Sequence, residues 1–172
     1  MAFTWTTGEY NVVGSLNRYF ANNIGTNLPT FFTAARVNFN YPNEPLFPSG
    51  ATAQVFSVSY LSSFEEMLSQ GDLMDAGKRG QRRHGLAAID CWVNALDNYN
   101  WQRDLFVMTD MVTKLFSINR TIQIVDMYGG GTSNTGYTIR IERVDGLATT
   151  PDPNPNIKRQ RLMLHYTYGV RQ

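Results

Sequence analysis

The chain has 172 residues, 42% hydrophobic and 13% aromatic, with a formal net charge of +1. That length fits a single domain spanning 1–172 with a core that needs no crosslinks, and the composition excludes a disordered chain. The balanced charge excludes capture of nucleic acid or membrane by net charge alone, and a single cysteine, Cys91, excludes an intrachain disulfide.

The opening residues MAFTWTTGEY carry no basic stretch ahead of an apolar run. No apolar run approaches the ~20 residues of a spanning helix. A soluble protein made in the cytoplasm, without membrane contact, is expected. Thr6 and Glu9 have the spacing of a capping box, with Trp5 and Tyr10 placed as a hydrophobic staple. Val12, Val13, Leu16, Tyr19, Phe20 and Ile24 then recur at helical steps, and Gly25 stops the run. A helix over 7–24 is predicted.

Alternation of Arg36, Asn38 and Asn40 with Val37, Phe39 and Tyr41 predicts a strand. The loop YPNEPLFPSG follows, with Pro42, Pro45 and Pro48 breaking regular structure. A second strand is predicted over Gln54–Ser62, with Phe56, Val58 and Tyr60 on one face. In 63–81, Phe64, Met67, Leu68, Leu73 and Met74 are interrupted by Gly71, Gly77 and Gly80. A short helical turn and an extended arm both fit this stretch, which suits docking on a neighbour. A third strand, central and covered on both sides, is predicted over Gln81–Asn94.

Asn100 is placed to cap a second helix. Its stripe is Trp101, Leu105, Met108, Val112 and Leu115, widened by Phe106 and Phe116. Asp104 in its first turn and Lys114 in its last suit the helix dipole. Strands follow over Thr121–Met127 and Tyr137–Glu142, joined by a glycine-rich hairpin, and over Lys158–Gly169 after a proline-rich loop. The fold class expected is α+β, a mostly antiparallel sheet with two helices packed on one face.

Chemistry is sparse. His84 and His165 are the only histidines and have no ligand spacing, so no metal site or cofactor is expected. Cys91 lies in an apolar strand and reads as a core residue. Gly129–Gly131 lacks the Gly-Lys-Ser/Thr signature of a phosphate loop. Asp90, Asp104, Asp110 and Asp126 raise the possibility of a magnesium-dependent nuclease built on Asp90 and Asp126, although Asp104 and Asp110 fall on different helix faces. Two basic clusters stand out: Lys78, Arg79, Arg82 and Arg83, and Lys158, Arg159 and Arg161. They read either as solvated edge charge or as contacts to phosphates or an acidic partner, which would make the chain a nucleic-acid adaptor.

The order of elements resembles the tail terminator proteins of long-tailed bacteriophages. The resemblance rests on the first helix followed by RVNFNYPNEP, on HGLAAIDCWVNALDNYNWQRDLFVMTDMVTKLF, and on TIQIVDM paired with YTIRIERV before a long final strand. It implies a non-enzymatic virion protein at the head-proximal end of the tail, assembled in the host cytoplasm. About six copies would close into a ring that caps the tail tube protein, stops its polymerisation and docks the head connector or neck protein, while DNA passes through unread. A neck connector or tail-completion role is the near alternative. The resemblance assigns the basic residues Lys78, Arg79, Arg82, Arg83, Arg159 and Arg161 to the lumen or a partner. Phe64, Met67, Leu68, Leu73, Met74, Pro45 and Phe47 go to subunit or tube contacts.

Overall fold

The computed structural model describes residues 8–25, 35–39, 47, 54–67, 80–96, 98–147 and 154–171. Helix α1 spans Glu9–Ile24, followed by β1 (Ala35–Asn38), β2 (Gln54–Met67) and β3 (Gly80–Asn94). Helix α2 spans Trp101–Ile118 and leads to β4 (Thr121–Val125), β5 (Asn134–Leu147) and β6 (Ile157–Arg171). The strands form a six-stranded sheet in the order β1-β2-β3-β6-β5-β4. It is mostly antiparallel as expected, but mixed, because β1 pairs with β2 in parallel. A parallel pair needs a long return connection, which the stretch between Asn38 and Gln54 supplies.

The strands run further than their alternation indicated. β2 continues to Met67, pairing with β3 down to Gln81, so the described part of the ambiguous segment is extended rather than helical. Leu68, Leu73, Met74, Lys78 and Arg79 lie outside the described residues, as does Pro45. β5 begins at Asn134 and ends at Leu147, passing through a register shift between Ile141 and Arg143. Cross-strand pairing with β4 and β6 sets these ends, and the side-chain pattern alone does not contain it.

Along β3, alternation sends Ala87, Ile89, Cys91 and Val93 to one face and Ala88, Asp90 and Trp92 to the other, all of them buried. The first set meets Phe56, Ile139, Ile141, Leu162 and Leu164, together with Val12, Leu16, Phe20 and Ile24 of α1 and Leu105, Met108, Val112 and Phe116 of α2. Both helices thus share one face of the sheet. Phe20 joins the layers, edge-on to Phe56 at 5.6 Å and stacked on Phe116 at 6.1 Å. Phe106 departs from the expected stripe: it is 69% exposed. Lys114 also falls short of the last turn, because α2 runs on to Ile118.

The N-cap of α2 falls where its sequence placed it, whereas α1 begins later than its capping box implies. Gly8 is the N-cap of α1 and Asn100 that of α2, each without a side-chain capping bond. Thr6 and Trp5 lie outside the described residues. The Glu9 carboxylate accepts a hydrogen bond from the Ser63 hydroxyl of β2. Tyr10 is 56% exposed and packs on Tyr128 at 5.0 Å.

α1 has a second task that its apolar stripe does not reveal. β4 is an edge strand, and unpaired edge groups invite foreign strands. Ser15 Oγ accepts the Val125 N–H at 2.9 Å and Asn11 Oδ1 accepts the Met127 N–H at 2.8 Å. Asn11 and Ser15 are buried there. Gly14 makes the approach possible, since a Cβ on it would lie 2.6 Å from Met127 Cγ. On its other flank α1 receives the Tyr60 hydroxyl of β2, which donates to Asn17 Oδ1 at 2.7 Å. The sheet therefore curls until α1 bridges β2 and the far edge strand β4.

Candidate functional site

The two basic clusters stand at opposite ends of the same strand pair. Arg82 is opposite Gly169, whereas Arg159 is opposite Trp92. Those registers lie on the order of 33 Å apart at the usual strand rise. Arg82 is exposed and Arg83 half-buried, opposite Glu66 and Glu65 of β2 respectively. Alternation places Arg82, Arg159 and Arg161 on the outer face of the sheet, away from the helices, with Arg83 on the inner face.

The second cluster is woven into the fold. Arg161 grips Asp90 with two parallel bonds, Nε to Oδ1 and a terminal nitrogen to Oδ2, each 2.8 Å. The hydrogen bond to Asp90 raises the Arg161 pKa above its usual value, against the opposing effect of burial. The Arg159 guanidinium lies 4.9 Å over the Trp92 ring, and the Lys158 ammonium 5.2 Å from the Trp101 ring. Trp92 in turn donates from Nε1 to Ser57 Oγ at 2.8 Å. Phe47 is half-buried against Val55 and Trp92. Phe64 and Met67 sit on the extended end of β2, opposite His84 and Gln81.

The carboxylates do not converge. Asp90 is on β3 and Asp126 follows β4, with β6 and β5 between them, and the registers set Asp90 level with Arg161 and Leu147, at the far end of β5 from the Asn134 that pairs with Val125. Asp90 faces a guanidinium, and Asp126 Oδ1 accepts the Tyr128 N–H of its own turn. Asp104 is buried and accepts bonds from Gln54 Nε2, Asn98 Nδ2 and Arg103, tying the start of α2 to β2. Asp110 stays exposed on the other side of α2. Among the described residues, no group of three or more His, Cys, Asp or Glu side chains could hold a metal ion. Gly130 and Gly131 adopt left-handed φ angles of 85° and 72° in the turn after β4, where Gly131 N–H bonds the Asp126 carbonyl oxygen. They form a hairpin tip, as the missing phosphate-loop signature indicated.

His84 and His165 do come together, which their separation in sequence hid. They share a cavity of about 330 Å³ with Ser62, Leu86, Glu142 and Arg143. The register of β3 with β6 brings them there, setting His165 opposite Leu86 and His84 opposite Thr167. His165 Nε2 lies 3.1 Å from Asp145 Oδ2, which Arg143 Nε also approaches at 2.8 Å. Thr167 donates to Glu142 at 3.1 Å. Acid and base are matched within the cavity wall.

Two open depressions flank α1, one mixed and one largely apolar. A groove of about 830 Å³ runs between α1 and α2, lined by apolar Tyr19, Ile24, Val107, Met111, Leu115 and Ile118 and by polar Asn23, Asp110, Lys114 and Asn119. On the other flank a depression of about 390 Å³ is lined by Tyr10, Val13, Gly14, Ala21, Phe39 and Met127. Ile118, in the wall of the first, is 85% exposed and Tyr10, in that of the second, 56% exposed. Beside the core stripe of α2, Phe106, Val107, Met111 and Ile118 make this helix apolar on more than one face, a signal present in the sequence.

No helix among the described residues is long and apolar enough to cross a membrane. No protein-family model and no curated protein matches the chain.

Proposed function

We propose that this chain is a structural protein of a virion, a tail terminator whose copies, about six by resemblance, close into a ring on the head-proximal end of a tail tube. The observation that carries this reading is the pair of open depressions along α1, one largely apolar and one mixed, with exposed Tyr10 and Ile118 in their walls. Contiguous apolar surface of this kind marks a contact site. The charged groups point the same way: Asp90, Asp104 and Arg161 are spent on holding strands and a helix in place. β2, β3 and β6 also stay paired past the last β5–β6 pair, Ile139 with Tyr168, as a short three-stranded blade reaching Met67 and Gln81. Such a blade suits reaching a neighbouring copy or the tube.

The test combines mass and activity. Light scattering after size exclusion, with negative-stain imaging, should find rings, and adding the protein to polymerising tube protein should cap the tubes at a fixed length. A plasmid-nicking assay with magnesium runs alongside. A protein that stays single-copy at high concentration, leaves tube growth unaltered and cuts DNA would overturn the proposal in favour of the nuclease.

A further inference from the structure

The outer side of α2 carries a pattern that reads the same in both directions. Val107, Met111, Lys114 and Ile118 follow one another at steps of four, three and four. At 3.6 residues per turn they fall within about 60° of one another, a single seam along the helix. Val107 and Met111 are half-buried, while Lys114 and Ile118 are exposed. The seam forms one wall of the groove between α1 and α2. It has the spacing of the apolar positions of a two-helix seam, yet one of its members is a cation.

We infer that this seam binds the same seam of a second copy, antiparallel, about a two-fold axis near residue 112. Reversing the helix against itself sets Val107 against the partner's Ile118, and Met111 against the partner's Lys114. Asp110, exposed and next to Met111, then lies beside the partner's Lys114. Two-fold symmetry repeats the contact, so two acid–base pairs flank the axis. Each exposed Ile118 enters the other copy's groove, whose far wall is Tyr19, Asn23 and Ile24 of α1. Charge complementarity singles out the second copy. Asp110 lies one turn before Lys114 on its own helix, and the antiparallel arrangement adds the partner's Asp110, so acids and bases alternate about the axis where a lysine is desolvated. A parallel arrangement stacks Lys114 on Lys114. The contact is isologous, unlike the head-to-tail contact of a ring, and does not depend on the viral reading; if rings form, it joins two of them.

Cross-linking tests the pairing directly. Cys91 is fully buried, so an introduced cysteine is the only accessible thiol among the described residues. Val107→Cys and Ile118→Cys proteins are mixed in equal amounts under mild oxidation. A disulfide-linked pair should form in the mixture and not in either variant alone. Linkage within a single variant, or none in the mixture, overturns the antiparallel seam. In light scattering Lys114→Glu, which sets two acids together, should halve the particle mass with folding unchanged by circular dichroism. The exchange Asp110→Lys with Lys114→Asp should restore it. Unaltered mass for Lys114→Glu, or a loss that the exchange does not restore, refutes the charge pairing. Halving leaves any ring intact, whereas failure of the ring itself gives single copies or pairs.

Discussion

The bidentate pair between Asp90 and Arg161 offers a quantitative test of the outer face of the sheet. The Asp90 side chain is 3% exposed and that of Arg161 28% exposed. Arg161→Ala leaves a buried carboxylate with no cation, and breaking a buried pair in this way costs about 3–5 kcal/mol. Asp90→Ala is milder. The remaining guanidinium sits on a long stem at the partly open side and turns toward water, leaving about 1–3 kcal/mol for the lost bonds. The order of the two losses therefore follows from the difference in exposure. The pair Asp90→Leu with Arg161→Met removes both charges and should be less destabilised than the two single losses together. Urea denaturation followed by circular dichroism, extrapolated linearly to water, reads all three. An Arg161→Ala loss below about 1 kcal/mol, or one no larger than that of Asp90→Ala, would refute the reasoning.

Four other outcomes are expected. Met108→Ala, at a fully buried position of α2, should cost about 2–5 kcal/mol in the same assay; a much smaller loss would mean that α2 is not seated on the sheet. Gly85→Ala would set a Cβ 2.1 Å from the Tyr166 ring, which is itself buried. It should cost about 1–3 kcal/mol, partly recovered by Tyr166→Leu, and a neutral Gly85→Ala would disprove that packing. Asn11→Ala and Ser15→Ala uncover N–H groups at the β4 edge and should each speed amide exchange at Met127 and Val125 respectively; unchanged protection would show that the edge is closed by other means. Burial, with smaller contributions from nearby acidic groups, holds the Tyr60 and Tyr166 hydroxyls and the Cys91 thiol above their usual pKa values. The folded state keeps these protons where the unfolded chain sheds them, so their contribution is whole below the ordinary thiol and phenol range. Stability should fall once pH rises above about 8.5–10, by about 1.4 kcal/mol per pH unit for each group past its unfolded value, and urea midpoints that stay level up to high pH would contradict it.

How far the sequence reaches differs by element. The stripe of Leu105, Met108, Val112 and Phe116 and the alternation of Leu162, Leu164, Tyr166 and Tyr168 place both elements and their buried faces, because burial on one side forces the helix or strand period onto the residues themselves. Phe106 misleads because an apolar side chain is equally apolar on an outer face. Gly8 is the N-cap of α1, so Glu9 falls at the first helical position, and its carboxylate meets the Ser63 hydroxyl of β2, a partner distant in sequence.

Periodicity and composition alone determine an α+β chain with two amphipathic helices and a set of half-buried strands. Register, edges and partners belong to the tertiary structure. Only strand pairing sets Arg161 opposite Asp90 and gathers His84 and His165 into one cavity. Only the curl of the sheet shows why polar Asn11 and Ser15 are buried on α1, and only the docking of α1 beside α2 leaves a groove open. Such arrangements join residues distant along the chain through hydrogen bonds and contacts whose geometry exists only once the layers have packed, so no local pattern encodes them.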